Sequence, residues 1–114
     1  MNSSEENRLF VYGKLLEEPV RQRLLGRTIP LESATLPDYQ RRLGRYFYVI
    51  KNDGARTPGS ILDGLGAADF EVLDRFEDVP RLYVREKIEV IDTQGTNVRC
   101  WIYLPSALLL RDFS

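Results

Sequence analysis

Two neighbouring acids, Glu77 and Asp78, close an apolar stretch and precede Val79-Pro80, a setting in which a carboxylate can be held against apolar walls. Burial there would raise its pKa toward the range that suits a general base. A solvated acid at a helix end is the plainer reading of the same residues, although a negative charge at a helix C-terminus opposes the macrodipole by about 0.3–1 kcal/mol. A second place is Tyr12-Gly13-Lys14-Leu15, which ends an apolar segment. Its amides could converge as an anion-binding nest, with Gly13 in the left-handed conformation, or it is an ordinary turn after a strand. The third is a set of aromatic residues, Tyr46, Tyr48, Tyr83, Trp101 and Tyr103, which could wall a ligand or fill a core with their hydroxyls at its rim. Ser60 with a lysine has no motif spacing to support a Ser-Lys pair.

What the chain lacks narrows the chemistry further. Its 114 residues include no histidine and one cysteine, Cys100. Ser-His-Asp and Cys-His nucleophile systems, a His-Glu-x-x-His zinc helix and histidine-containing iron or zinc sites are therefore out of reach. One thiol makes neither an internal disulfide nor a four-sulfur metal site. Carboxylates, lysine, hydroxyls and backbone amides remain, and no metal or cofactor is expected.

Sixteen basic against seventeen acidic residues leave a net charge of −1. Phosphate binding needs a basic surplus, so nucleic acid is not expected as a partner. Arg41, Arg42 and Arg45 cluster around a turn at Gly44 and read as a solvated hairpin end in preference to an anion-binding patch. No apolar run approaches the roughly 18 residues of a membrane span, and the polar start is unlike a signal peptide. A cytoplasmic location without a membrane partner follows as the expectation, in keeping with a single cysteine in a reducing compartment.

These residues must be positioned by a fold. A chain of this length should form one domain that buries roughly two-thirds of its unfolded surface. The 43% hydrophobic share, with five Phe, six Tyr and one Trp, can fill its core. Residues 1–7 are expected as a disordered polar tail and residues 8–114 as the domain. Residues 8–12 read as a buried strand that stops at Gly13; Pro19 then opens a short helix, with Leu24 and Leu25 inward and Gly26 as its stop. Over residues 28–65, Pro37, Gly44, Asn52-Asp53-Gly54 and Pro58-Gly59 punctuate a series of short antiparallel strands. Phe70, Leu73 and Phe76 recur at three-residue spacing on a helix over residues 67–77, which Pro80 ends. Alternation through Leu82, Val84, Ile88 and Val90, then through Val98, Cys100, Ile102 and Leu104 after a turn near Gln94-Gly95, predicts a long hairpin. The expected class is α+β: a small mixed, mainly antiparallel sheet curled toward a barrel that hides its edges, with two or so short helices.

In this order the segments resemble the gamma-glutamylcyclotransferase-like superfamily over about residues 8–104. The family's opening strand ending Tyr-Gly-Ser/Thr-Leu is similar to Leu9-Phe10-Val11-Tyr12-Gly13-Lys14-Leu15. Its Val-x-Gly-x-Leu-x-x-Leu strand resembles Thr57-Pro58-Gly59-Ser60-Ile61-Leu62-Asp63-Gly64-Leu65. Its Leu-Asp-x-x-Glu-Gly-Val helix end followed by Leu-Tyr resembles Leu73-Asp74-Arg75-Phe76-Glu77-Asp78-Val79 and Leu82-Tyr83, and its Trp-x-Tyr resembles Trp101-Ile102-Tyr103. The resemblance implies a barrel-like α+β fold and conversion of a small-molecule γ-glutamyl substrate, an amino acid or amine conjugate, to 5-oxoproline and free amine. It also implies Glu77 as the catalytic acid/base, the Tyr12-Gly13-Lys14-Leu15 loop as the binder of the glutamyl group through backbone amides, and Tyr83 as a pocket wall.

That reaction suits the residue inventory, because the substrate's own α-amine is the nucleophile. Holding such an intramolecular attack in register is worth effective molarities of about 10⁵–10⁸ M, and one carboxylate moving the proton adds roughly 10²–10⁴-fold. Three positions depart from the family pattern: Lys14 stands for Ser or Thr, Asp78 for Gly, and Tyr46-Phe47 for Tyr-Pro. Lys14 is expected to pair with a substrate carboxylate, lower the pKa of Glu77 or fill the pocket; Asp78 is expected to raise that pKa. These changes also admit a non-catalytic small-molecule binding or regulatory module that keeps the cavity. A nucleic-acid-binding barrel using Arg41, Arg42 and Arg45 ranks behind both.

Overall fold

Five strands and three α-helices follow one another as β1 (Leu9–Val11), α1 (Glu18–Leu25), β2 (Leu31–Leu43), β3 (Phe47–Leu62), α2 (Ala67–Phe76), β4 (Tyr83–Asp92), β5 (Asn97–Pro105) and α3 (Ala107–Asp112), in a computed structural model that describes residues 4–114. The strands close into a barrel in the order β1-β3-β2-β4-β5. All neighbours are antiparallel except β5 and β1, which meet through the parallel pair Leu9 and Trp101. Closure satisfies strand edges that an open sheet of this size would leave unpaired.

The alternation of a strand becomes two cores here, because β1 is covered on both sides. Phe10 and, just beyond the strand, Tyr12 pack with Leu36, Ile61, Cys100 and Ile102. Leu9 and Val11 pack with Leu62, Phe70, Leu73 and Leu109, where helices cover the sheet. All three β1 residues are buried, which is why this segment reads as a continuous apolar run and not as an alternating one. Its approach to β3 depends on Gly59: a Cβ there would lie 2.4 Å from the Val11 carbonyl oxygen and 2.5 Å from Cζ of Phe10. The glycine in the Thr57-Pro58-Gly59 segment is thus a packing requirement of the barrel.

The structure departs from the sequence expectation in three places. Of the expected turns over residues 28–65, only that at Gly44 separates strands; β2 and β3 run through the others as one long ribbon. Pro37 faces Arg56 and Tyr39 faces Lys51, so the ribbon absorbs Asn52-Asp53-Gly54 as a bulge. Asp38, at φ 65°, holds that bulge by accepting a hydrogen bond from the Gly54 N–H at 2.9 Å. Second, the expected tail is docked where it is described. Glu5–Asn7 form a turn of 3-10 helix, Asn7 exchanges hydrogen bonds with Leu65, and Lys87 pairs with Glu5 and Glu6 at 2.8 and 2.6 Å. Residues 1–3 of that tail lie outside the described residues. Third, α3 went unread although Ser106 follows Pro105 in the manner of an N-cap; its hydroxyl accepts from the Leu109 N–H at 3.1 Å.

Candidate active site

Helix α2 stops where its last carbonyls need partners, and the side chain delivered there is Glu77. Leu73, fully buried, fixes the final turn, and the Glu77 N–H donates to the Leu73 carbonyl at 2.9 Å. Asp78 follows with φ 57°, the left-handed cap that most often falls to glycine. The family pattern's glycine is thereby explained as a backbone requirement. Asp78 is turned to Arg81, at 2.7 Å, and not to Glu77. Asp78→Gly is expected to raise stability by up to about 1 kcal/mol, measured by urea denaturation, because glycine relieves the left-handed strain at the expense of an exposed ion pair.

On the facing side β1 ends and the chain turns through a 3-10 helix at Lys14–Leu16. The N–H groups of residues 13–15 open this turn, where a helix has no internal acceptor to offer its first donors. Gly13 does not adopt the expected left-handed conformation; its φ is −133°. A Cβ at position 13 would lie 3.1 Å from the Cβ of Phe47, a tight contact that glycine avoids. Arg41 pins the segment by donating to the Tyr12 carbonyl at 2.9 Å while its guanidinium lies 4.6 Å over the Phe47 ring.

Glu77 and residues 13–15 line one cavity of about 460 Å³, with Tyr12, Tyr83 and Tyr103 also on its wall. The sequence-predicted site residues are therefore brought together. Each tyrosine hydroxyl is committed elsewhere: Tyr12 donates to the Tyr103 carbonyl at 2.6 Å, Tyr83 to the Phe47 carbonyl and Tyr103 to Asp74 at 2.7 Å. Burial is the largest cause that raises all three phenols, with the Glu77 charge a lesser one, so they remain neutral donors.

Glu77 is half-buried because the cavity it faces is open, yet protein atoms surround its carboxyl closely enough to strip most of its hydration. That desolvation raises it from its ordinary value of 4.5 to about 7. Neither expected charge accounts for the shift. Lys14 is exposed and pairs with Glu17 at 3.6 Å, so it neither fills the cavity nor lowers the carboxyl, and Asp78 does not raise it. A carboxyl near 7 holds and releases a proton with similar ease at neutral pH, the property a group needs to act first as base and then as acid.

The aromatic set divides. Tyr46, Tyr83 and Tyr103 reach the cavity, Tyr48 belongs to the core, and Trp101 lies across the sheet, where the Arg85 guanidinium stacks on it at 4.4 Å and on Phe70 at 4.5 Å. Arg85 also holds Asp74 at 2.8 Å, and Asp74 in turn receives Tyr103. Sequence reading missed Arg41 as an anchor, and missed Leu43, Arg45, Phe76 and Arg81 on the cavity wall. The clustering of arginines around Gly44 was a signal for two of them; what it could not give was the register that brings residue 41 to residue 12. Cys100 is enclosed in the barrel with its thiol pushed up to about 12, and takes no part. Among the described residues, no three acids or thiols gather in a way that could hold a metal ion.

Comparison with known proteins places this geometry in context. The profile of a family described as "Gamma-glutamyl cyclotransferase, AIG2-like" matches residues 9–112. AIG2-like protein D of Arabidopsis thaliana is 38% identical over 92 residues, 78% of this chain, and the chain spans 59% of that relative's length. A solution structure of an Arabidopsis thaliana protein superposes with a TM-score of 0.81 at 26% identity, over 94% of this chain and 73% of that one. A solved structure named as a gamma-glutamyl cyclotransferase superposes at 0.79 over 92% of this chain and 68% of that one; at 18% identity it shows the shared fold.

Proposed function

Because the chain belongs to the gamma-glutamyl cyclotransferase, AIG2-like family, we propose that it converts a γ-glutamyl amino acid or amine to 5-oxoproline with release of the amine, in the cavity that Glu77 shares with residues 13–15. What supports this reading is the Glu77 carboxyl, raised to about 7 by desolvation, on the wall of the same cavity that residues 13–15 line.

The steps balance without added water or cofactor. Ionised Glu77 takes a proton from the substrate's α-ammonium, and the amine nitrogen forms a bond to its own γ-carbonyl carbon. Negative charge then grows on the carbonyl oxygen. As Glu77 returns that proton to the departing nitrogen, the bond from the carbon to it breaks and the carbonyl re-forms. The second proton on the ring nitrogen then passes through the Glu77 carboxylate to the freed amine, which leaves as an ammonium beside the neutral lactam. Amides of residues 13–15 hold the glutamyl carboxylate or the developing oxyanion, donors that need no reorganisation during the reaction. The tyrosine walls keep the substrate folded for attack, which is where the larger share of the rate arises.

Lys14 and Asp78, the two departures that favoured a non-catalytic module, have partners of their own in Glu17 and Arg81 and leave the carboxyl unaltered. The test is a panel of γ-glutamyl amino acids and γ-glutamyl amines assayed for 5-oxoproline; no product from any member sinks the reading. Glu77 must be ionised to accept the first proton, so kcat/KM is expected to rise through an acid limb near pH 7. In Lys14→Ser that limb stays in place, since the exposed ammonium does not set it; a displaced limb would show that it does.

A further inference from the structure

Five large hydrophobic side chains among the described residues are exposed: Leu31, Leu43, Tyr46, Phe76 and Leu110. Single exposed apolar residues are ordinary, but convergence of several on one concavity marks a binding surface. Leu43, Tyr46 and Phe76 converge on the cavity that holds Glu77, reaching it from the end of β2, from the turn before β3 and from the last residue of α2. Leu43 is 65% exposed.

Three cations line the same cavity, and they are not equivalent. Lys14 is paired with Glu17 and Arg81 with Asp78. Arg45 has no carboxylate partner among the described residues. Its backbone N–H donates to the Phe113 carbonyl at 2.8 Å, its guanidinium lies 5.8 Å over the Phe113 ring, and the Tyr46 ring sits 6.1 Å from that same ring. A guanidinium without a carboxylate partner among the described residues, beside an apolar rim, is complementary to a carboxylate that carries an apolar group next to it.

Resting on the cyclotransferase reading, we infer that the mouth formed by Leu43, Tyr46, Phe76 and Arg45 selects the leaving group, and that this group is an α-amino acid with a large apolar side chain whose carboxylate pairs with Arg45. The substrate class is then a γ-glutamyl dipeptide and not a γ-glutamyl alkylamine. The glutamyl half keeps its own carboxylate on the amides of residues 13–15, so the two anionic ends of the dipeptide are held at separate places and the scissile amide is set between them.

Three substrates separate the parts of this inference: γ-glutamyl-leucine, γ-glutamyl-glycine, which lacks the side chain, and the γ-glutamyl amide of 3-methylbutylamine, which keeps the side chain and lacks only the carboxylate. The wild-type protein is expected to show kcat/KM about tenfold higher for leucine than for glycine, and Leu43→Ser to narrow that ratio to about threefold. Arg45→Gln should cost the leucine dipeptide about tenfold more than it costs the alkylamide. Both positions are exposed, and thermal melting of each variant checks that the fold is kept. Equal kcat/KM for leucine and glycine overturns the apolar mouth, and equal losses on dipeptide and alkylamide overturn the role of Arg45, in either case with the cyclotransferase reading intact. No turnover of any of the three removes this inference, and the cyclotransferase reading falls with it only when the full panel of γ-glutamyl amino acids and amines is inert as well.

Discussion

Glu77→Gln is expected to abolish 5-oxoproline release, by about 10²–10⁴-fold or to background, while making the folded protein more stable above neutral pH. The two effects have one origin. Desolvation raises the Glu77 carboxyl from 4.5 to about 7, so the folded state binds that proton more tightly than the unfolded chain does. The contribution of this one group to stability is therefore highest below about pH 4.5, falls as pH rises toward about 7, and is level above it. The span between those values corresponds to about 3 kcal/mol, an upper figure for what ionising this one side chain costs the fold. Glutamine keeps the shape and never ionises, so urea midpoints of wild type and variant should differ at pH 8 and converge toward pH 4.5. A variant that loses activity and is also less stable at pH 8 would mean that Glu77 holds the structure, and the acid/base assignment would lose its physical basis. Stability given up at a reactive group is a familiar trade in enzymes.

Gly59→Ala is expected to be the most damaging small substitution in the chain, at about 3 kcal/mol or more, because overpacking against backbone has no rotamer to relieve it. The new methyl would sit 2.4 Å from the Val11 carbonyl oxygen and 2.5 Å from the Phe10 ring, so β1 and β3 must separate. β1 leads directly into residues 13–15, and activity should fall together with the urea midpoint. Gly66→Ala is the control: a Cβ there meets nothing nearer than an Asp69 carboxylate oxygen at 3.9 Å, and the cost should stay below about 1 kcal/mol. Equal costs at the two positions would show that the β1–β3 approach is not the tight contact described.

The residues proposed for the site were legible because each one sits where the chain changes conformation, and such places leave marks in sequence. Gly13 ends β1, and Glu77 ends α2 just ahead of Pro80. The hairpin of β4 and β5 was legible from alternation. The ribbon of β2 and β3 was not, since Pro37, Gly54 and Pro58 look like turns, and only a partner strand reveals that they are accommodated within a ladder. Likewise the charges of Lys14 and Asp78 read as tuning groups for Glu77 until their nearer partners, three residues on in each case, were in view. Local order sets where a functional residue falls; its electrostatic environment depends on which charges, near or far in sequence, the fold turns toward it.

The barrel closes through β1, a strand of only three residues whose first, Leu9, pairs with Leu62 on one side and Trp101 on the other. Its pairing thus waits for segments more than fifty and more than ninety positions away, the kind of distant contact that slows a folding chain. A chain emerging from the ribosome holds residues 13–15 and Glu77 well before it holds Trp101, and until that strand arrives the loop has no frame against which to face the carboxylate. Catalytic competence should accordingly appear in a refolding time course only with the last barrel pairing, later than the signal from the β2–β3 ribbon.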